Sequence, residues 1–178
     1  MEEKDLIKNL KRGKEEAYYE LINLYGDKLL KTCFLMIRDE IEAEDIVQET
    51  FIKVFKYINT FKGESLLYTW IYKISQNIII DRLKSRLITI PLEDYEVAVD
   101  TVEDIIMTNI DKEILRYELD NLDFRYKQVL ILFYFNDLSI REITEILNEK
   151  EGTIKSKLSR GRVLLKGALE KGGKLNEK

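Results

Sequence analysis

The chain has 178 residues, 45% of them hydrophobic, enough to bury one sizeable core or two small ones. With no histidine and one cysteine, Cys33, it cannot form an internal disulfide and lacks the imidazole that zinc sites and nucleophilic triads ordinarily use, so catalysis and a bound cofactor are not expected. The net charge of −4 is uneven: residues 92–123 hold eleven carboxylates against two cations, and residues 153–178 hold eight cations against two carboxylates, which predicts an acidic spacer and a basic end that faces a polyanion.

The longest apolar runs, such as 129–135, fall far short of the about 20 residues that span a bilayer, and Glu2, Glu3 and Lys4 open the chain. The expectation is a protein of the cytoplasm with neither anchor nor secretion leader. Pro91 is the only proline, and a period near 3.6 recurs almost throughout, so the fold class is all-α. Helices are predicted over 5–10, 15–37, 41–59, 66–87, 110–121, 124–135, 140–148 and 153–169. Between the fourth and fifth, residues 88–108 hold Pro91 and a run of carboxylates with weak periodicity, a flexible acidic linker that divides the chain into two small helical domains, 1–87 and 109–178. Cys33, among Leu29, Leu30, Phe34 and Ile37, reads as core.

On the 41–59 helix, steps of 100° put Ala43, Val47, Phe51, Val54 and Ile58 on one side and Asp45, Gln48, Glu49, Ile52 and Lys56 on the other. The first set is expected in the core. The second, a polar stripe around one branched apolar residue, suits a docking surface, and an ordinary solvated face fits the pattern equally well.

Residues 61–65, Phe61-Lys62-Gly63-Glu64-Ser65, read as a loop in which Gly63 allows a tight turn and Ser65 caps the next helix. That helix carries Tyr68, Trp70 and Tyr72, and aligns Trp70, Lys73, Asn77, Asp81 and Lys84 in a narrow arc, with Arg82 and Arg86 nearby. Unpaired bases bind well to such a mixture, because each offers a π-face, a polar edge and a phosphate. Aromatic residues at helical spacing are also ordinary core, and the pattern alone leaves both open.

Ser139 and Glu142 form a capping box ahead of a helix whose buried stripe is Ile140, Ile143 and Leu147, and Asn148 is suited to end it in the left-handed conformation. After a short turn, Thr153 is placed to cap a second helix. Its inner side is Ile154, Leu158, Gly161 and Leu165, with Gly161 permitting a close helix approach. Its outer side carries Lys155, Ser156, Ser159, Arg160, Arg162 and Lys166. Two helices, a four-residue turn and a basic outer face match the geometry that sets a recognition helix in the major groove.

In order along the chain, three motifs resemble the extracytoplasmic-function group of sigma factors in the sigma-70 family, from about residue 15 to 169. Asp45-Ile46-Val47-Gln48-Glu49-Thr50-Phe51 resembles the family's polymerase-binding helix, which implies that Asp45, Gln48, Glu49 and Ile52 dock on the clamp helices of the β′ subunit. Phe61-Lys62-Gly63-Glu64-Ser65, with Thr69-Trp70-Ile71-Tyr72 and Ile74, and then Asn77 and Asp81-Arg82, resembles the part that melts and captures the −10 element, to which the arc read above adds Lys73. Residues 151–162, Glu151 through Arg162, resemble the −35 recognition helix, which implies duplex DNA contacts from Thr153, Lys155, Ser156, Lys157, Ser159, Arg160, Arg162 and Lys166. Many relatives have arginine and alanine where this chain has Lys157 and Gly161, which leaves its promoter preference open.

The resemblance implies a non-enzymatic subunit whose partners are core RNA polymerase, through β′ and the β subunit, and promoter DNA. It further implies an anti-sigma factor that holds the protein back, at the membrane where that partner is membrane-held, and no small-molecule substrate. Two other readings fit parts of the sequence. A free-standing helix-turn-helix regulator would bind its operator without polymerase, and a helical adaptor would leave the basic face of 153–166 without a task.

Overall fold

The computed structural model describes residues 2–86 and 112–175, which are helical with short connections and no strand among the described residues. The expected linker, 88–108, lies outside the described residues. Two compact units result.

The first unit contains α1 (Glu3–Lys11), α2 (Glu15–Ile37), α3 (Glu40–Tyr57), a 3-10 turn (Ile58–Thr60) and α4 (Leu67–Arg86). Helices α2, α3 and α4 pack pairwise, while α1 lies on α2 and on the 3-10 turn. Leu6 and Leu10, four residues apart, form the buried stripe of α1. Helix α2 stops at Arg38, whose left-handed backbone (φ 62°) lets its N–H reach the Phe34 carbonyl at 2.8 Å. Helix α3 then begins at once, because Asp39 accepts from the Glu42 N–H at 2.9 Å.

Leu21, Leu29, Cys33 and Met36 of α2 meet Ala43, Ile46 and Val54 of α3 and Ile71, Ile78 and Ile79 of α4 in the core. Each large aliphatic side chain buried in this way contributes about 1.5–3 kcal/mol. Burial pushes the Cys33 thiol up to about 12, so it packs as a small hydrophobe.

The inward stripe of α3 differs from the one expected. Ala43, Ile46, Thr50, Val54 and Ile58 are fully buried, whereas Val47 and Phe51 are only half-buried. Thr50 fits the core because its hydroxyl donates to the Ile46 carbonyl at 2.7 Å, which satisfies the polar atom within the helix. The true stripe is therefore rotated by about one residue toward α4.

The later helices along the chain are α5 (Lys112–Asn121), α6 (Phe124–Leu130), a π-helical turn (Ile131–Phe135), α7 (Ile140–Leu147) and α8 (Glu151–Leu175). The long helix α8 packs mainly on α6 and α5. Asp123 caps α6 by accepting from Arg125 N at 3.0 Å. Residues 124–135 do not form one regular α-helix. From Ile131 the backbone widens, and Asn136 N–H reaches back five residues to the Ile131 carbonyl at 3.2 Å. Val129, Leu130, Ile131 and Leu132 are thereby all buried in succession, which a regular helix with one inward face does not achieve.

Candidate nucleic-acid interface

Three surfaces carry the residues singled out in the sequence. On α3, Asp45, Gln48 and Ile52 are exposed, Ile52 by 65%, and Glu49 is half-buried. Glu49 is engaged within the domain, since one carboxylate oxygen lies 2.9 Å from Lys53 and the other 3.1 Å from Arg82 of α4. These bonds, Lys53 first, hold its carboxyl below the ordinary range despite opposing burial.

Beside this face runs an apolar groove of about 470 Å³ between α2 and α3, lined by Ile22, Gly26, Leu30, Val47, Phe51 and Ile52. The α2 side of this groove was missed from the sequence. Its signal is Ile22, an isoleucine 46% exposed that falls off the stripe of Ala17, Leu21 and Leu29.

The second surface is the 61–66 loop and the outer arc of α4. Gly63 takes φ +74°, the left-handed turn only glycine adopts freely, and Lys62, Gly63 and Glu64 are exposed. Phe61 is buried, at 4% exposure, with its ring 5.3 Å from that of Trp70, so it backs the indole rather than offering a free stacking face. Trp70 is half-buried, and Lys73, Asn77, Asp81 and Lys84 line up in solvent beyond it, as the 100° spacing predicts. Tyr72 is core. The capping expected of Ser65 is not seen: α4 starts at Leu67, whose N–H donates to Glu3 Oε1 at 3.3 Å.

The third surface is the helix-turn-helix of α7 and α8. Ser139 N–H donates to Glu142 Oε2 at 2.8 Å and Glu142 N–H to Ser139 Oγ at 3.3 Å, so the capping box is formed. The buried stripe of α7 is Ile143 and Ile146, with Ile140 and Leu147 half-buried at its edges. Asn148 takes φ 53°, the left-handed stop expected of it.

Helix α8 begins at Glu151 rather than at Thr153, its first turn closed by Ile154 N–H on the Lys150 carbonyl at 3.1 Å. Thr153 is thus an exposed residue of the first turn, not a cap. A carboxylate at the first position suits the positive end of the helix dipole, and Glu151 also pairs with Lys155 at 2.6 Å, which holds its carboxyl low.

Ile154, Leu158, Gly161 and Leu165 face inward as expected. A Cβ at Gly161 would lie 3.2 Å from Leu130 Cδ1 and 3.3 Å from Tyr126 Cβ, so the glycine sets how closely α8 meets α6. Lys155 and Ser156 are exposed, and Ser159, Arg160 and Lys166 half-exposed. Two cations are turned to internal tasks. Lys157 binds Glu149 at 2.7 Å, and the Arg162 guanidinium lies over the rings of Phe133 (5.5 Å) and Tyr134 (5.4 Å).

Comparison with known proteins matches these two units separately. The sigma-70 region 2 family covers residues 21–87, and the sigma-70 region 4 family covers residues 112–165. The ECF RNA polymerase sigma factor SigW of Bacillus subtilis is 33% identical over 93% of this chain and 96% of its own. The ECF RNA polymerase sigma-E factor of Haemophilus influenzae is 28% identical over 93% and 94%. Two solved structures share the fold. CnrH, in complex with the cytosolic domain of CnrY, gives a TM-score of 0.71 at 18% identity, covering 94% of this chain and 97% of CnrH. The sigma factor RpoE of Bartonella quintana, in complex with the anti-sigma factor NepR, gives 0.68 at 21% identity, covering 86% and 96%.

Both sigma-70 regions in order, together with a relative one-third identical over nearly its full length, define the class: the chain belongs to the extracytoplasmic-function sigma factors of the sigma-70 family. It is an RNA polymerase sigma factor, a transcription initiation factor that works with core RNA polymerase and promoter DNA. No described helix is long and apolar enough to cross a membrane.

Proposed function

We propose that the three surfaces divide the work of promoter selection, as a non-enzymatic subunit acting in the cytoplasm. Residues 1–87 hold the polymerase and the −10 element, residues 109–178 hold the −35 element, and residues 88–108 tether them. On α3, Asp45, Gln48 and Ile52, with Glu49 at their margin, dock on the β′ clamp helices, and the apolar groove alongside extends that contact. Lys62, Gly63, Glu64 and Ser65, with Trp70, Lys73, Asn77, Asp81 and Arg82, take the bases and phosphates of the opened strand, and Phe61 supports the indole from behind. Stacking of this kind contributes about 1–3 kcal/mol per base.

On α8, Lys155, Ser156 and Arg160 read base edges, while Thr153, Ser159 and Lys166 position the helix on the backbone. Lys157 and Arg162 contribute through the fold as much as through their charge. The observation that carries the reading is the helix-turn-helix itself, with its formed capping box, its left-handed stop at Asn148 and a basic outer face on α8. The net charge of −4 supports a protein that binds DNA weakly until core polymerase fixes the two domains together.

CnrH and RpoE share this fold, and the structures that contain them also hold CnrY and the anti-sigma factor NepR. A partner of that kind, covering the α2–α3 groove and so competing with polymerase, is part of the proposal, and a membrane-held partner would keep the complex at the membrane surface.

Run-off transcription with core polymerase tests the division. Asp45→Ala is expected to weaken polymerase binding, and Arg160→Ala to lose −35 selection with polymerase binding intact. Normal polymerase binding by Asp45→Ala, Gln48→Ala and Ile52→Ala together would overturn the docking assignment. A gel shift in which the protein alone binds a specific duplex as tightly as with polymerase would favour a free-standing regulator.

A further inference from the structure

The loop between the 3-10 turn and α4 is tied at both ends to one helix, α1, with which it shares no local sequence signal. At the near end, Lys11 Nζ donates to the Phe61 carbonyl at 2.6 Å, across fifty positions of chain. At the far end, Glu3 Oε1 accepts from the N–H of Leu67, the first residue of α4, at 3.3 Å. Glu3 and Lys11 stand at the two ends of α1.

Helix α1 is itself firmly seated. Leu6 and Leu10 are 1% exposed, and the Tyr18 hydroxyl donates to the Leu10 carbonyl at 3.0 Å. Between the two ties the chain makes its left-handed turn at Gly63 with Lys62, Gly63 and Glu64 in solvent. Five exposed or half-exposed loop residues, 62–66, would ordinarily sample many conformations, each costing entropy to order against DNA. Fixing both ends to a rigid element removes part of that cost in advance. The matched sigma-70 region 2 begins at residue 21, past α1.

We propose that α1 is a brace for the −10-reading loop, with Lys11 and Glu3 as positioning residues that set its conformation without touching a base. This rests on the reading of that loop as the −10 reader. A charged lysine on a carbonyl and a carboxylate on a helix-start amide are both charge-assisted, the first short at 2.6 Å and the second longer at 3.3 Å, and neither uses the loop's own side chains. Lys62, Glu64 and Ser65 thus stay available for the strand while the backbone beneath them is held.

The test uses the full chain with Bacillus subtilis core polymerase and a linear template library randomised in two segments upstream of a transcribed cassette. Sequencing of the run-off products gives the base preference at each position. The wild type, Lys11→Met, Glu3→Ala, the double variant and Lys11→Arg are compared, with affinity for core polymerase and the salt dependence of open-complex formation measured in parallel. Lys11→Met keeps an apolar side chain of similar length and removes the donor.

The brace predicts that each single variant loses about fivefold in discrimination at the −10 positions, equivalent to about 1 kcal/mol. The double variant loses more, and Lys11→Arg, which still donates, stays near wild type. Core affinity and −35 preference remain unchanged. Unchanged −10 preference in the double variant overturns the brace. So does a parallel loss of polymerase affinity, which marks a role in the fold alone. A uniform loss across all sequences with a shallower salt slope makes Lys11 a phosphate contact instead. If the wild type itself selects no sequence, the reading of the loop fails first and the brace falls with it, an outcome distinct from a selective wild type matched by its double variant.

Discussion

Arg82 Nη2 donates to Glu49 Oε2 at 3.1 Å, which joins the face of α3 assigned to polymerase with the end of α4 assigned to DNA. Each residue was singled out for an external partner, and each is already engaged with the other. Lys53, one turn along α3, holds the second oxygen of Glu49. The pair links two helices whose outer faces are assigned different ligands.

Its contribution depends on pH in a definite direction. The Glu49 carboxyl is held below its ordinary 4.5, so its stabilising effect is present above that value and is lost as pH falls through the lower folded-state value. Both partners are about a third exposed, and solvent reduces the pair to a few tenths of a kcal/mol. Glu49→Gln is expected to lower the urea midpoint slightly at about pH 7, and the gap from wild type should close as pH falls below the ordinary carboxylate range. A gap independent of pH would contradict the pairing.

Arg160 and Arg162, two positions apart on α8, should respond differently to alanine. Arg160→Ala is expected to lose about 1–3 kcal/mol of base discrimination in the −35 segment with little change in stability. Arg162→Ala removes the cation from the rings of Phe133 and Tyr134 and should cost about 0.5–1 kcal/mol of stability. Selection of promoters from a randomised library, beside denaturant unfolding, separates the two. Equal loss of selection in both variants would return Arg162 to the DNA surface.

Gly161→Val should loosen the second domain. Its side chain enters where Leu130 and Tyr126 already stand within 3.3 Å of the Cβ position, an overpacking of about 1–3 kcal/mol. Amide hydrogen exchange in the full chain reads this locally. Faster exchange is expected in α6 and α8, with α2 and α3 unchanged.

Ser139→Ala removes the acceptor for the Glu142 N–H and should destabilise the start of α7 by about 1 kcal/mol, while Ser139→Asp keeps the cap and most of the stability. The same exchange measurement applies, with protection compared across 140–147.

The helix-turn-helix was legible because its signals are local. A capping box spans four residues, and Asn148 needs only its own conformation to end a helix. Helix α2 was read to both ends, at Glu15 and Ile37. The stripe of α3 was harder. A buried threonine and a half-buried phenylalanine invert the usual order of hydrophobicity, and only the Thr50 to Ile46 hydrogen bond explains the exchange.

The start of α8 was misplaced by two residues because Gly152 looked like the end of a turn and Thr153 like a cap. The Glu151–Lys155 pair, at a spacing of four, was the signal that could have moved it. Nothing local announces that Lys11 will meet Phe61 or that Glu3 will cap α4, since these bonds exist only once α1 has folded back on the domain. The widened turn at 131–135 is equally silent, being set by the need to bury four consecutive apolar residues.

On the proposed division of labour, the protein reads promoters only as part of the polymerase. Start-site mapping of run-off transcripts, made by core polymerase with and without the protein on a randomised template library, decides this. Transcripts from defined start sites are expected only when both are present, preceded by two selected segments at a fixed separation. Transcripts unchanged by the protein, or selected segments with no fixed separation, would contradict it.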